Sequence, residues 1–302
     1  MDSFRGFSAE VFVSQSSISV ITGSDSAQIL NRCSTTEVED CVELSRIETL
    51  YCNSNGRIED FATLCFVEGG ILMIGMPNVG DQTRRMMHNG IAWDEVASIR
   101  SGENAVNHMI LFGTDVEEIF VTLDIEIGEI IPNKWFEFGN ILISRNSMCI
   151  EAIYDVIIPI SESTGFLKLL DDNDCNVANR KRWDLFRIIN SIRSKPDLIG
   201  RIPHEVGLEA LIDTSKGCYP GQEIHARLES RGKVKKKLIK LSSESEIPIG
   251  RTPSSFGTID VTSTSMNEEG CLALAIAPVD VDDIDDMRLN FGSVRISQIN
   301  HQ

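Results

Sequence analysis

The sequence predicts an α+β protein that ends in a small all-β domain, and three observations carry that reading. The N-terminal part alternates β-type runs with short helical stretches. A central amphipathic stretch places Leu185, Ile188, Ile189 and Ile192 at i, i+3, i+4 and i+7, the spacing that puts side chains on one helical face. After Lys233 the helical spacing stops, and short β-type runs are separated by Gly, Pro and Ser clusters.

Taken in order, Ser17–Ile21 is a short strand, and the turn Gly23-Ser24-Asp25-Ser26 supplies a capping residue for a helix over Ala27–Cys33. Ser45–Cys52 and Arg57–Val67 flank Asn53-Ser54-Asn55-Gly56. An Asn-Gly between apolar-patterned runs signals a hairpin, because both residues tolerate the positive φ of a tight turn. A second turn at Glu68-Gly69-Gly70 leads to a strand over Ile71–Met76, and a polar helix ends near Asn89-Gly90. Strands at Asp94–Ile99 and Asn107–Phe112, a helix near Asp115–Leu123 and further short strands reach Ile160. Helices are predicted over Ser163–Asp171 and Asn176–Arg193, the second ended by Pro196 and Gly200. Arg201–Thr214 is irregular. Lys236–Leu241, Thr258–Ser263, Cys271–Ala277 and Val294–Ile299 then form a barrel or sandwich of about 65 residues. Asp280–Asp286 reads as a solvated acidic loop. The domain boundary is placed between a 1–234 body of two subdomains and a 235–302 barrel.

The formal charge of −17 argues against a surface that grips phosphate backbones or anionic lipid along its whole extent. No apolar run reaches the roughly 18 residues that span a bilayer. The opening Met1–Gly6 lacks the basic region and apolar stretch of a secretory signal. Cys33, Cys41, Cys52, Cys65, Cys149, Cys175, Cys218 and Cys271 are scattered without metal-ligand spacing. A reducing, cytoplasmic setting and the absence of a structural metal are the expectations.

The densest stretch of chemistry runs from Gly217 to Lys240. Lys216 precedes Cys218, and a helix is predicted to open at Gly221-Gln222; a lysine charge and a helix N-terminus both favour thiolate. Two readings of Cys218 stand side by side: a small buried apolar residue, or an ionisable thiol. Behind it Arg227, Arg231, Lys233, Lys235, Lys236, Lys237 and Lys240 gather seven of the 28 basic residues. That strip is either a solvated face or a docking surface for an anion such as a polyglutamate tail, a phosphate, RNA or an acidic partner. His204 and His225 flank the segment and can pair with the thiol, whereas His88, His108 and His301 read as surface or packing residues.

Lys216-Gly217-Cys218-Tyr219-Pro220-Gly221-Gln222-Glu223 resembles the K-G-C-Y-x-G-Q-E signature of the YgfZ family, folate-binding paralogues of the glycine-cleavage T-protein, an aminomethyltransferase. Pro203-His204-Glu205-Val206-Gly207-Leu208 resembles the family's P-x-E-x-G-L, and Ala226–Val234 its A-R-x-x-x-R-G-x-V. Gly23–Leu30 with Ser34–Val38, and Leu50–Ile58, resemble its opening motif and its N-x-x-G-R-I hairpin, so the likeness runs from about Ser17 to Val234. The resemblance implies a T-protein-like body of ferredoxin-like α/β layers around a central cavity for tetrahydrofolate, followed by a β-barrel. It implies a role in assembly or repair of iron–sulfur proteins, including tRNA-thiolating enzymes, with assembly factors or client proteins as partners. Cys218 becomes the functional thiol, Lys216, Gly217, Tyr219, Gly221, Gln222 and Glu223 shape its loop, and Asn53, Arg187 and Glu205 are placed at the folate. Two departures are visible. The T-protein's L-R-x-E-x-G motif reads Phe186-Arg187-Ile188-Ile189-Asn190-Ser191, which puts Ile189 where the pterin-binding glutamate stands, and its acidic pair is reduced to Asp60 followed by Phe61. Pterin recognition calls for a carboxylate on the amidine-like N–H edge, so these losses weigh against aminomethyl transfer. A true aminomethyltransferase and a partner-binding module working through the basic strip are the alternatives.

Overall fold

The computed structural model describes residues 6–146, 153–281 and 284–299; Cys149 and His301 lie outside them, as do the side chains of Arg231, Asp285 and Asp286. Its elements begin with β1 (Glu10–Val13), β2 (Ser17–Thr22), α1 (Ser26–Cys33), β3 (Arg46–Cys52), β4 (Ile58–Val67), β5 (Gly70–Gly75) and α2 (Gly80–Asn89). They continue through β6 (Ser98–Ser101), β7 (Val106–Phe112), α3 (Val116–Thr122), β8 (Phe136–Phe138), β9 (Ile141–Arg145), β10 (Ile153–Pro159), α4 (Ile160–Asp171) and β11 (Asn176–Val177). Then come α5 (Arg180–Ile189), α6 (Lys195–Leu198), α7 (Gln222–Arg231), β12 (Lys236–Ser243), β13 (Gly250–Ser254), β14 (Gly257–Asn267), β15 (Gly270–Pro278), β16 (Ile284–Leu289) and β17 (Gly292–Gln298). No helix of the described residues is long and apolar enough to cross a membrane.

The chain divides into two units: residues 1–51, 60–180 and 216–219, and residues 52–59, 181–215 and 220–302. The first unit holds two sheets, ordered β11-β1-β7-β10-β9-β8 and β3-β4-β5-β2-β6. Their central strands, such as β4, β7 and β10, are buried on both faces, because successive side chains alternate between two cores. In β10, Tyr154, Val156 and Ile158 meet Phe120 of α3 and Phe166 and Leu170 of α4. Ile157 points the other way and joins Leu142, Ile18, Cys65, Ile74 and Trp135 in the core that both sheets share. The second sheet turns Ile21, Leu64 and Met73 toward Leu30 of α1 and Met87 of α2. The result is helix, sheet, sheet, helix in layers.

In the second unit β13-β14-β15-β12-β17-β16 form a six-stranded sheet whose end strands β13 and β16 approach each other, so it curls into a nearly closed barrel. Ile239, Leu241, Val261, Ala273, Ala275 and Ile296 fill it. This is the α+β body with a C-terminal barrel that the sequence predicts.

Three local expectations change. The helix predicted over Asn176–Arg193 is only α5: Asn176 N and Ala178 N donate to the carbonyls of Ala9 and Val11, which draws Asn176–Val177 into the sheet as a parallel edge strand. Its other end stops at Ile189, with Ser191 in the left-handed region at φ 57°. Pro196 sits in the first turn of α6, where the missing N–H costs nothing. The strand predicted at Asp94–Ile99 forms only from Ser98, because Val96 is tied by both backbone groups to Asp25. Finally, strand β16 begins at Ile284, inside the loop predicted over Asp280–Asp286, and β13 is a further strand that sequence spacing did not reveal.

Candidate functional site

The first half of the signature belongs to the first unit. Lys216 is buried at 8% exposure, and its ammonium donates to the carbonyls of Ser34 at 2.9 Å and Thr36 at 2.7 Å, just past the end of α1. It also lies 5.6 Å above the Tyr219 ring, which is itself buried, so charge, ring and two carbonyls make one clasp. Between the clasped residues Gly217 and Cys218 are exposed. Cys33, Cys52, Cys65, Cys175 and Cys271 are buried and Cys41 is half-buried. Burial pushes the thiols of Cys52, Cys65 and Cys175 up to about 12, and those of Cys33, Cys41 and Cys271 upward as well. Among the described cysteines, Cys218 alone is exposed. The lysine expected to act on the thiol is held by backbone carbonyls.

The second half of the signature belongs to the second unit. Gly221, at φ 87°, is the residue before α7, and a Cβ there would lie 2.6 Å from Gly56 Cα and 2.7 Å from Asn53 O. Only glycine permits that backbone path against the hairpin tip. His225, fully buried on α7, donates its Nε2–H to Gly56 O at 3.0 Å, and burial lowers its pKa. Gln222 is half-buried and Glu223 exposed.

Asn53, half-buried, accepts with Oδ1 from the backbone N–H of Asn55 at 3.0 Å and of Arg57 at 3.2 Å. Glu205 is half-buried and accepts with Oε2 from Ile202 N at 3.3 Å. Next to it, both ring nitrogens of His204 are buried without a hydrogen-bond partner among the described residues, and the ring lies 6.2 Å from that of His225. Arg187 is 4% exposed and spent on two carboxylates, Asp184 at 2.5 Å and Asp197 at 3.1 Å. Asp197 in turn takes the hydroxyls of Ser194, Thr262 and Ser263, which pins α5 and α6 to β14. The T-protein glutamate position, Ile189, is apolar and half-buried, and its carbonyl accepts from the Lys240 ammonium. Asp60, in the first unit, is fully buried and accepts from Met76 N at 2.9 Å and Thr83 Oγ1 at 2.7 Å.

The basic strip does not form one surface type. Arg227, Lys233, Lys235 and Lys236 are exposed, Lys237 is half-buried and bonded to Gln298, and Lys240 is half-buried with its ammonium on a carbonyl. The exposed members are therefore the candidates for contact with an anion.

These geometries can be set beside known proteins. No family model matches the chain. In fold it is similar to the solved aminomethyltransferase T of the glycine cleavage system from Bartonella henselae, which superposes with a TM-score of 0.81 at 16% identity, covering 97% of this chain and 86% of that one. In sequence it is similar to the tRNA-modifying protein YgfZ of Aliivibrio fischeri, at 26% identity over 193 residues that cover 55% of this chain and 60% of that protein. Over 251 residues it is 22% identical to an Arabidopsis thaliana chloroplastic protein named as a transferase, covering 80% of this chain and 56% of that protein. The chain thus spans about 60% of the length of the curated relatives it matches.

Proposed function

We propose that the chain is a tetrahydrofolate-binding, YgfZ-like protein that supports assembly or repair of iron–sulfur proteins, tRNA-thiolating enzymes among its clients, with the Cys218 thiol as its working group. The observation that carries this reading is the exposure of Cys218 within a loop whose neighbours Lys216 and Tyr219 are buried. Buried thiols with raised pKa values are inert at neutral pH, so among the described cysteines thiol chemistry falls to the exposed Cys218.

Tetrahydrofolate supplies a carrier for one-carbon units on its reduced nitrogens. The second unit fits such a ligand through His204, whose buried nitrogens have no partner among the described residues, and through Glu205, which keeps one carboxylate oxygen beyond its bond to Ile202. Asn53 adds its carboxamide N–H, since its oxygen is used within the turn. Arg187 holds α5 to α6 and the barrel instead. With Ile189 apolar and both oxygens of Asp60 engaged, the residues support binding rather than aminomethyl transfer.

Two measurements test the proposal. Cys218→Ala should fold normally yet fail to rescue a cell with a cluster-enzyme defect; full rescue refutes the role of the thiol. Calorimetric titration with tetrahydrofolate should show binding that weakens at least tenfold in Glu205→Ala; heat identical in both refutes the folate site. A second reading, a partner-binding module, is favoured by the exposed Arg227, Lys233, Lys235 and Lys236. It predicts no folate binding and a partner complex that dissociates as salt rises.

A further inference from the structure

The first unit contains a cavity of about 610 Å³, large enough for a small organic molecule and lined by none of the signature residues. Into it opens a line of hydrogen bonds built from three separate elements. Ser14 and Ser16, in the turn between β1 and β2, join their hydroxyls at 2.8 Å. Ser16 Oγ lies 2.9 Å from Nδ1 of His108 on β7, and His108 Nε2 lies 3.1 Å from Oδ1 of Asp155 on β10. The serine turn is fixed to β7 by the bond from Ser14 N to His108 O at 2.9 Å. Ser14, Ser16 and His108 line the cavity, whereas Asp155 stands behind the ring at 5% exposure.

Proton positions follow from what each partner can do. Burial opposes ionisation of Asp155, but the bond donated by His108 and the charge and bond of Arg46 outweigh it and hold the carboxyl down at about 2. Arg46 and Asn146 occupy its other oxygen, Oδ2. An ionised carboxylate only accepts, so His108 carries its proton on Nε2. That leaves the lone pair of Nδ1 facing Ser16, whose O–H donates to it. A serine donating to an imidazole that donates to a buried carboxylate is the arrangement that activates a hydroxyl, and either ring nitrogen can face the nucleophile.

We propose that Ser16, His108 and Asp155 make this cavity a second reactive centre, an acyl-transfer site for small esters or thioesters of polar acids. Ser16 Oγ bonds to the acyl carbon while its proton passes to His108 Nδ1. The tetrahedral adduct then breaks its bond to the leaving alkoxide or thiolate, which takes that proton from Nδ1. Water repeats the sequence on the acyl-serine, releases the acid and restores Ser16. Asp155 is the positioning residue that holds the imidazole in the required tautomer. The start of α2 forms another wall through Val79 and Gly80, where Gly80 N donates to Ser17 Oγ at 3.1 Å. The remaining lining is polar and carries both signs of charge: Arg84 is paired with Asp81 and Glu103, beside Gln82 and the exposed Arg85.

The test is covalent labelling of the full chain with a fluorophosphonate. Ser16 Oγ displaces fluoride at phosphorus and its proton goes to His108, leaving a mass increment that peptide mapping places on Ser16. Ser16→Ala should keep the unfolding midpoint and lose the label, and His108→Gln should slow labelling by about 100-fold or more. Asp155→Asn should slow labelling and also change the His108 tautomer seen by ¹⁵N NMR, which a merely structural carboxylate would leave unaltered. Saturable hydrolysis of p-nitrophenyl acetate, absent in Ser16→Ala and retained in Cys218→Ala, is the matching activity. Wild-type protein left unlabelled at saturating probe, or label undiminished in Ser16→Ala, overturns the proposal.

Discussion

Gly221→Ala and Gly217→Ala separate folding from function within a single signature. Gly221 adopts φ 87°, which costs an L-residue roughly 1–2 kcal/mol. The new methyl would also sit 2.6 Å from Gly56 Cα, 2.7 Å from Asn53 O and 2.8 Å from Gly56 N, all backbone atoms that no rotamer change removes. The tip they belong to is itself held, by Gly56 N to Asn53 O at 2.9 Å and His225 to Gly56 O at 3.0 Å. Overpacking of this kind costs about 1–3 kcal/mol, so the total comes to about 2–5 kcal/mol. A Cβ on Gly217 meets nothing within 4 Å and its φ is outside the left-handed region. That substitution should therefore stay within about 0.5 kcal/mol of wild type. Urea unfolding followed by circular dichroism reads both. A loss below about 1 kcal/mol for Gly221→Ala, or equal losses for the two variants, refutes the close approach between the hairpin and α7.

Three further outcomes follow from the same packing. Asp197→Ala should cost about 3–5 kcal/mol in urea, because Arg187 stays buried with its inner carboxylate gone, and Ser194, Thr262 and Ser263 lose their acceptor. Tyr51→Phe should be neutral or stabilise by about 1 kcal/mol, since the Tyr51 hydroxyl is buried without a partner among the described residues; a clear loss of stability would show an overlooked bond. Asp155, held below its ordinary 3.8, contributes stability that is complete above that value and fades as pH falls toward about 2. Wild type should lose about 2 kcal/mol across that interval that Asp155→Asn does not lose, as read from urea midpoints at each pH.

Elements whose cause is local were legible in the sequence. The strand at Ser17–Thr22, the helix α1 and the Asn-Gly hairpin follow from alternation, capping and turn chemistry within a few residues. What escaped is what a distant partner imposes. Asn176–Val177 reads as helix until the carbonyls of Ala9 and Val11 claim the amides of Asn176 and Ala178, and Val96 leaves a strand pattern because Asp25 binds it from both sides. The same divide runs through the sites. The signature is contiguous and visible, whereas His108 and Asp155 are 47 residues apart with no motif to join them, and only the antiparallel pairing of β7 with β10 makes them neighbours. Nor does any spacing rule foretell that Lys216 would turn from the thiol to two carbonyls past α1.

The distribution of duties within the signature is itself an argument about Cys218. Lys216 neutralises two carbonyl dipoles from a buried position, and Tyr219 gives it a ring to lie against. Gly221 fits where no Cβ fits, and the helix it opens places His225 on the hairpin. Each of these residues is explained by the fold, and replacing it costs stability. Cys218 fills no core, caps no helix, and lies in open solvent beside a glycine that nothing crowds. An exposed thiol adds no burial energy and carries an oxidation hazard, so packing provides no reason for it. A clasp that fixes the residues on either side while leaving the sulfur in water is a means of presenting that sulfur. The consequence is sharp: Cys218→Ser should match the unfolding midpoint of wild type to within about 0.5 kcal/mol while losing rescue activity. A variant that unfolds early instead would place the thiol among the structural residues and leave the presentation argument without support.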